Sequence, residues 1–334
     1  MRGSLTNNTM STNKKNIWIV GAGVTGLTTG VRLLEEGHSV TIVAKEFSPN
    51  TTSDIAAAIW FPFKVNPRAK ALEWSRFTYT KLERLLKNPA AGVSMTHSLR
   101  LLSNPERVPW WTNAVPSHRI RKAFANELPK GYEAGYQMEV PLIEVPQYMR
   151  YLYNQFVQLG GKMIQKIVVD LEELLVGDRW VINCTGLGAR QLVNDPALFA
   201  IQGQILHVKS EEPLPTISDN EGGDIAAYII PRKNYYVLGG TAFNNEYSTQ
   251  PKEEISKEIW ERCEAIVPQL KNAEYMNTVV GLRPARKQLR LEKEPNKRII
   301  HNYGHGGAGF SVSWGCAEEV AQLVAKASIN LVAA

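Results

Sequence analysis

Apolar runs and helical periodicity alternate at the front of the chain. Residues 17–20, Ile-Trp-Ile-Val, form a short β-branched run of the kind buried on both faces in a parallel sheet. Beyond a glycine-rich turn, Leu27, Val31 and Leu34 recur at the spacing of one helix face, and Gly37 offers a C-cap. Residues 39–44, Ser-Val-Thr-Ile-Val-Ala, read as a second strand, which completes a β-α-β unit. Similar patterning predicts a helix over 145–159, a short strand over 162–168, an apolar strand from Trp180 into a Gly-containing turn, and an apolar helix over 312–324.

The turn between the first strand and helix is Gly21-Ala22-Gly23-Val24-Thr25-Gly26. Gly21 permits the tight bend, Gly23 lets backbone N–H groups reach a pyrophosphate, and Gly26 lets helix and strand pack closely. The helix N-terminus, beginning near Val24 and Thr25, then faces the anion. The second strand ends in Lys45-Glu46, and an acid about 20 residues past the third glycine is placed to receive ribose hydroxyls. A dinucleotide site follows, although this unit alone does not separate NAD from FAD and says nothing about chemistry.

Composition narrows the class. The 334 residues exceed the usual size of one domain, and 44% hydrophobic with 21% charged residues is ordinary for a globular protein. The net charge of +6 is dispersed: in the most charged stretch, 252–298, lysines and arginines are interleaved with glutamates, so no basic stripe for nucleic acid forms. Cys184, Cys263 and Cys316 have neither disulfide nor zinc spacing, which suits a reducing compartment and predicts no metal site. The polar residues 1–15 read as a disordered leader without a secretory core, and no apolar run approaches the roughly 20 residues of a membrane span. The final residues, Asn-Leu-Val-Ala-Ala, are no peroxisomal tripeptide, so the expected location is cytoplasmic.

Four further segments carry more specific information: TTSDIAAAIW at 51–60, WVINCTGLGA at 180–189, AYIIPR at 227–232 with VLGGT at 237–241 and VGLRPAR at 280–286, and HNYGHGGAGFS at 301–311. With the glycine turn, they resemble D-amino-acid oxidases over nearly the whole chain. The resemblance implies an α/β flavoprotein with a Rossmann-like FAD-binding domain and a mixed-sheet substrate domain. Thr51, Thr52, Ser53, Ala57, Ala58 and Ile59 would wrap the FAD pyrophosphate and isoalloxazine; Ile167, Thr185 and Gly186 would touch the adenosine and phosphate side. Gly306, Gly307, Ala308, Gly309, Phe310 and Ser311 would cradle the flavin pyrimidine, where backbone N–H groups and a helix dipole suit developing negative charge. By the same resemblance, Arg283 and Tyr228 hold the substrate carboxylate, the Gly307 carbonyl accepts from the substrate amine, and the alpha-hydrogen is aimed at flavin N5. A planar guanidinium matches a carboxylate as Lys cannot. His305 reads as a histidine of a tight turn rather than a catalytic base, and Cys184 as a packing residue.

The implied activity is oxidative deamination of neutral D-amino acids to 2-oxo acids, ammonia and hydrogen peroxide, with oxygen as partner and a homodimer as the family habit. The second active-site tyrosine is missing, Asp224 and Ala242 standing where family branches place it. D-Aspartate oxidases carry an arginine matching Ala242 and another before Tyr228, both absent here, so a side-chain carboxylate is expected to go unpaired. Asp224 is left as a solvated lid residue or an aid to basic side chains. Alternative readings are a D-aspartate or glycine oxidase-like flavoenzyme, an NAD-dependent dehydrogenase and a non-enzymatic nucleotide binder, the last two predicting no chromophore bleached by D-amino acids. The FAD domain is expected from 16–63, 139–205 and 278–330, the substrate domain from 64–138 and 206–277.

Overall fold

A β-branched run, a glycine turn and an amphipathic helix open the fold in the expected order. The structure, a computed structural model, describes residues 14–221 and 223–332, with side chains to 327. β1 (Asn16–Val20), α1 (Val24–Glu35) and β2 (Ser39–Ala44) form the β-α-β unit, and β1 pairs β2 in parallel. Then come α2 (Arg68–Leu85), β3 (Val93–Leu102), β4 (Ile120–Lys122), β5 (Ala134–Ile143), α3 (Val145–Gln158), β6 (Lys162–Gln165), β7 (Trp180–Asn183) and the short α4 (Ala189–Leu192). The remainder is β8 (Leu198–Lys209), β9 (Ile217–Asp219), β10 (Ile225–Pro231), β11 (Tyr236–Thr241), β12 (Phe243–Asn244), α5 (Glu253–Ile266), β13 (Glu274–Lys293), β14 (Ile299–His305) and α6 (Gly309–Val332).

Among the described residues the strands join one fourteen-stranded sheet in the order β4-β5-β3-β9-β10-β11-β8-β13-β14-β7-β1-β2-β6, with β12 on β8. The parallel end, β14-β7-β1-β2-β6, packs against α1 and α6, and the strands at its centre are largely apolar, as burial on both faces requires. The largest core cluster lies here, around Ile17, Ile19, Leu27, Val31, Ile42, Phe156 and Ile182. A second core lies under α5, where Ile259, Cys263 and Ile266 meet Leu206, Ile229 and Leu238. β13 joins the two ends, pairing β8 on one side and β14 on the other. The expected domain limits at 205/206 and 277/278 fall inside β8 and β13.

Three local expectations change. β6 stops at Gln165, which puts Ile167 on a loop, and α6 starts at Gly309, three residues before the expected Val312. The leader reading falls mostly on residues 1–13, outside the described residues; Lys15 itself is fixed, its carbonyl accepting the Ser39 amide at 2.9 Å.

Candidate active site

One elongated cavity of about 960 Å³ runs from the glycine turn to Tyr228 and Arg283. At the turn, Gly21 has φ +110° and a Cβ there would meet the Cys184 carbonyl oxygen at 2.4 Å. A Cβ on Gly26 would lie 1.9 Å from the Gly21 oxygen, so Gly26 closes helix onto turn and does not itself line the cavity. Gly21, Ala22, Gly23, Val24 and Thr25 do line it. A helix leaves its first four amides without intrahelical acceptors. Val24 donates its amide to Ser53 Oγ at 3.0 Å, and α1 has no acidic residue in its first turn to compete with an anion.

The 51–59 segment is braced from within. Asp54 accepts from the Thr51 amide at 2.9 Å, the Thr51 hydroxyl at 2.6 Å and the Ser48 hydroxyl at 2.6 Å. Thr51, Thr52, Ser53, Ala57, Ala58 and Ile59 all line the cavity, and Ala58 holds a left-handed φ of +39° while its carbonyl accepts the Ile143 amide. Lys45, Glu46, Ile167, Thr185 and Gly186 line the same end. Thr185 is fixed by its hydroxyl, which donates to Asn183 Oδ1 at 2.7 Å.

At the far end two glycines make room for two large side chains. A Cβ on Gly239 would fall 1.6 Å from the Tyr228 ring, and one on Gly203 2.3 Å from Arg283 Nη2. Tyr228 therefore lies flat across β11, and the Arg283 guanidinium lies over β8. Arg283 Nη1 donates to the Thr241 carbonyl at 2.8 Å, and no carboxylate pairs with it among the described residues. Burial pushes the Tyr228 hydroxyl's pKa up, against the pull of Arg283, so it stays a neutral donor at pH 7. Gly307 closes the group: a Cβ there would sit 2.8 Å from the Phe63 ring and 3.6 Å from Arg283 Cδ.

Gly306, Gly307, Gly309, Phe310 and Ser311 line the cavity, but Ala308 does not. Its methyl group packs instead with Val65, Trp74 and Val312, because the turn rotates that one position into the core. His305 is buried, bonded at Nε2 to Asn302 Oδ1 (3.1 Å), and burial lowers its pKa to about 4, so it is neutral at pH 7. Cys184 is likewise buried, its thiol pKa pushed up to about 12. Asp224 is exposed and does not itself line the cavity, although Gly223 and Ala226 beside it do. Sequence reasoning missed that Phe61, Phe63, Gly203 and Arg100 line the cavity. It also missed what Gly239 does, since that glycine gains its role only when the register of β10 and β11 sets it opposite Tyr228.

Residues 16–323 match the sequence profile of the family described as FAD dependent oxidoreductase. The chain belongs to that family. It is 39% identical over 314 residues to a D-amino-acid oxidase of Rubrobacter xylanophilus, covering 92% of this chain and 95% of that protein. It is 41% identical over 323 residues to a D-amino-acid oxidase of Dictyostelium discoideum, covering 93% and 92%. Among solved structures, glycine oxidase from Geobacillus kaustophilus superimposes with a TM-score of 0.79 at 18% identity, over 94% of this chain and 95% of that one, a likeness of fold. FAD fits the cavity: its glycine end offers a backbone cradle that a Cβ on Gly23, 3.0 Å from Ser53 Oγ, would crowd.

Proposed function

We propose that the protein oxidises D-amino acids, converting amino acid, oxygen and water to a 2-oxo acid, ammonia and hydrogen peroxide. The observation that carries this reading is the unpaired guanidinium of Arg283 beside the Tyr228 hydroxyl, in the same cavity as the dinucleotide turn. FAD, when bound, supplies the two-electron oxidising capacity. Arg283 binds the substrate carboxylate through a two-pronged ion pair, with its fork held by the Thr241 carbonyl. Tyr228 donates its hydroxyl to the same carboxylate, and the Gly307 carbonyl accepts from the amine. These contacts orient one face of the alpha-carbon, so catalysis rests on positioning. His305, neutral and bonded to Asn302, is not required as a base when the amine is already neutral.

In this reading 16–63, 139–205 and 278–330 hold the cofactor, and 64–138 with 206–277 cover the substrate. Among the described residues no helix is long and apolar enough to cross a membrane; a cytoplasmic location belongs to the proposal. Anaerobic mixing with a panel of D- and L-amino acids tests it. The flavin absorbance of the purified protein should bleach with neutral D-amino acids and persist with their L-enantiomers; bleaching by neither enantiomer would overturn the reading.

A further inference from the structure

β3, β9 and β10 lie side by side, with Arg100 opposite Ser218 and Ser218 opposite Tyr228. Directly opposed residues on neighbouring strands share a face. Arg100 and Tyr228 both line the cavity. Arg100 is only 6% exposed, its guanidinium carbon lies 4.0 Å from the Phe61 ring centroid, and Nη1 donates to Ser218 Oγ at 2.6 Å. Its Nε is buried without an acceptor, and no carboxylate pairs with Arg100 among the described residues.

A guanidinium carries five donors and no acceptor, and an arginine is seldom this buried without an anion. A hydroxyl and an aromatic face answer only part of that demand. Strand order puts Arg100 on one side of Tyr228 and Arg283 on the other. Two cations thus flank the tyrosine, and a ligand with two carboxylates answers both.

We propose that Arg100 receives the side-chain carboxylate of an acidic D-amino acid, extending the substrate range beyond neutral side chains. This rests on Arg283 as the anchor of the alpha-carboxylate. The sequence offers no arginine at Ala242 or just before Tyr228; the structure supplies one from β3, so the side-chain carboxylate has a partner after all.

The test is steady-state kinetics of the FAD-loaded enzyme on D-glutamate against D-glutamine and D-aspartate against D-asparagine, with D-methionine as control. At least one acid should match or exceed its amide in kcat/KM. Arg100→Met keeps the length over Phe61 without the charge, and should lower that acid about 100-fold or more while D-methionine changes less than about fivefold. Both acids falling below their amides in the unaltered enzyme, or equal losses on acid and D-methionine in the variant, would overturn the proposal. Should Arg100→Met fail to fold, the acid-to-amide comparison still decides, and calorimetric titration with glutarate against butyrate, expected to favour glutarate, gives a second reading without turnover. If D-methionine itself is not oxidised by the unaltered enzyme, the reading of the whole site fails, separately from the role of Arg100.

Discussion

At Arg283 the guanidinium occupies the space that a side chain on Gly203 would need. Arg283→Ala should raise KM at least about 100-fold with FAD still bound, since removing one partner of a buried ion pair costs roughly 3–5 kcal/mol. Arg283→Lys keeps charge but loses the fork, and Tyr228→Phe should cost less, about 1–3 kcal/mol, because Arg283 remains. Gly203→Ala separates positioning from chemistry: the new Cβ must push the fork away, so KM should rise about tenfold or more with an unchanged flavin spectrum. An unchanged KM in that variant would show that the fork moves freely. That Arg283 and Tyr228 meet in one cavity was legible because both sit in recognisable segments. The placement of Gly203, Gly239 and Arg100 was not, since it is set by the strand lying opposite each.

The glycine turn is an element whose parts all lie close in sequence, and it was legible almost to the residue. Gly23→Val should abolish flavin binding, read as loss of visible absorbance in the purified, folded protein. Gly26→Ala meets a backbone oxygen at 1.9 Å, which cannot rotate aside, so it should lower the melting temperature as well as FAD occupancy. β13 was harder to read. Only three of its twenty residues are buried, the rest half-buried or exposed without the alternation that marks a strand with one wet face. The start of α6 was hidden by Gly306, Gly307 and Gly309, residues with poor helix propensity that the structure nevertheless draws into the last turn before the helix and its first residue.

Across the whole molecule, burial lowers the pKa of His38, His207, His301 and His305, the last to about 4 from 6.5. A depressed histidine means the unfolded chain takes up protons first as pH falls. Stability is therefore full above pH 6.5 and declines toward pH 4, where His305 alone accounts for a loss on the order of 3 kcal/mol. Denaturant titrations across this window check the slope, and His305→Gln should flatten it.

β13 lends one further property to the protein. It carries Arg283 while its two ladders tie β8 to β14, which leads directly into the Gly306 turn. Swinging the two ends of the cavity apart would tear those ladders, so the molecule is a mould rather than a jaw. The radius of gyration measured by X-ray scattering should therefore stay the same whether or not a substrate analogue is bound.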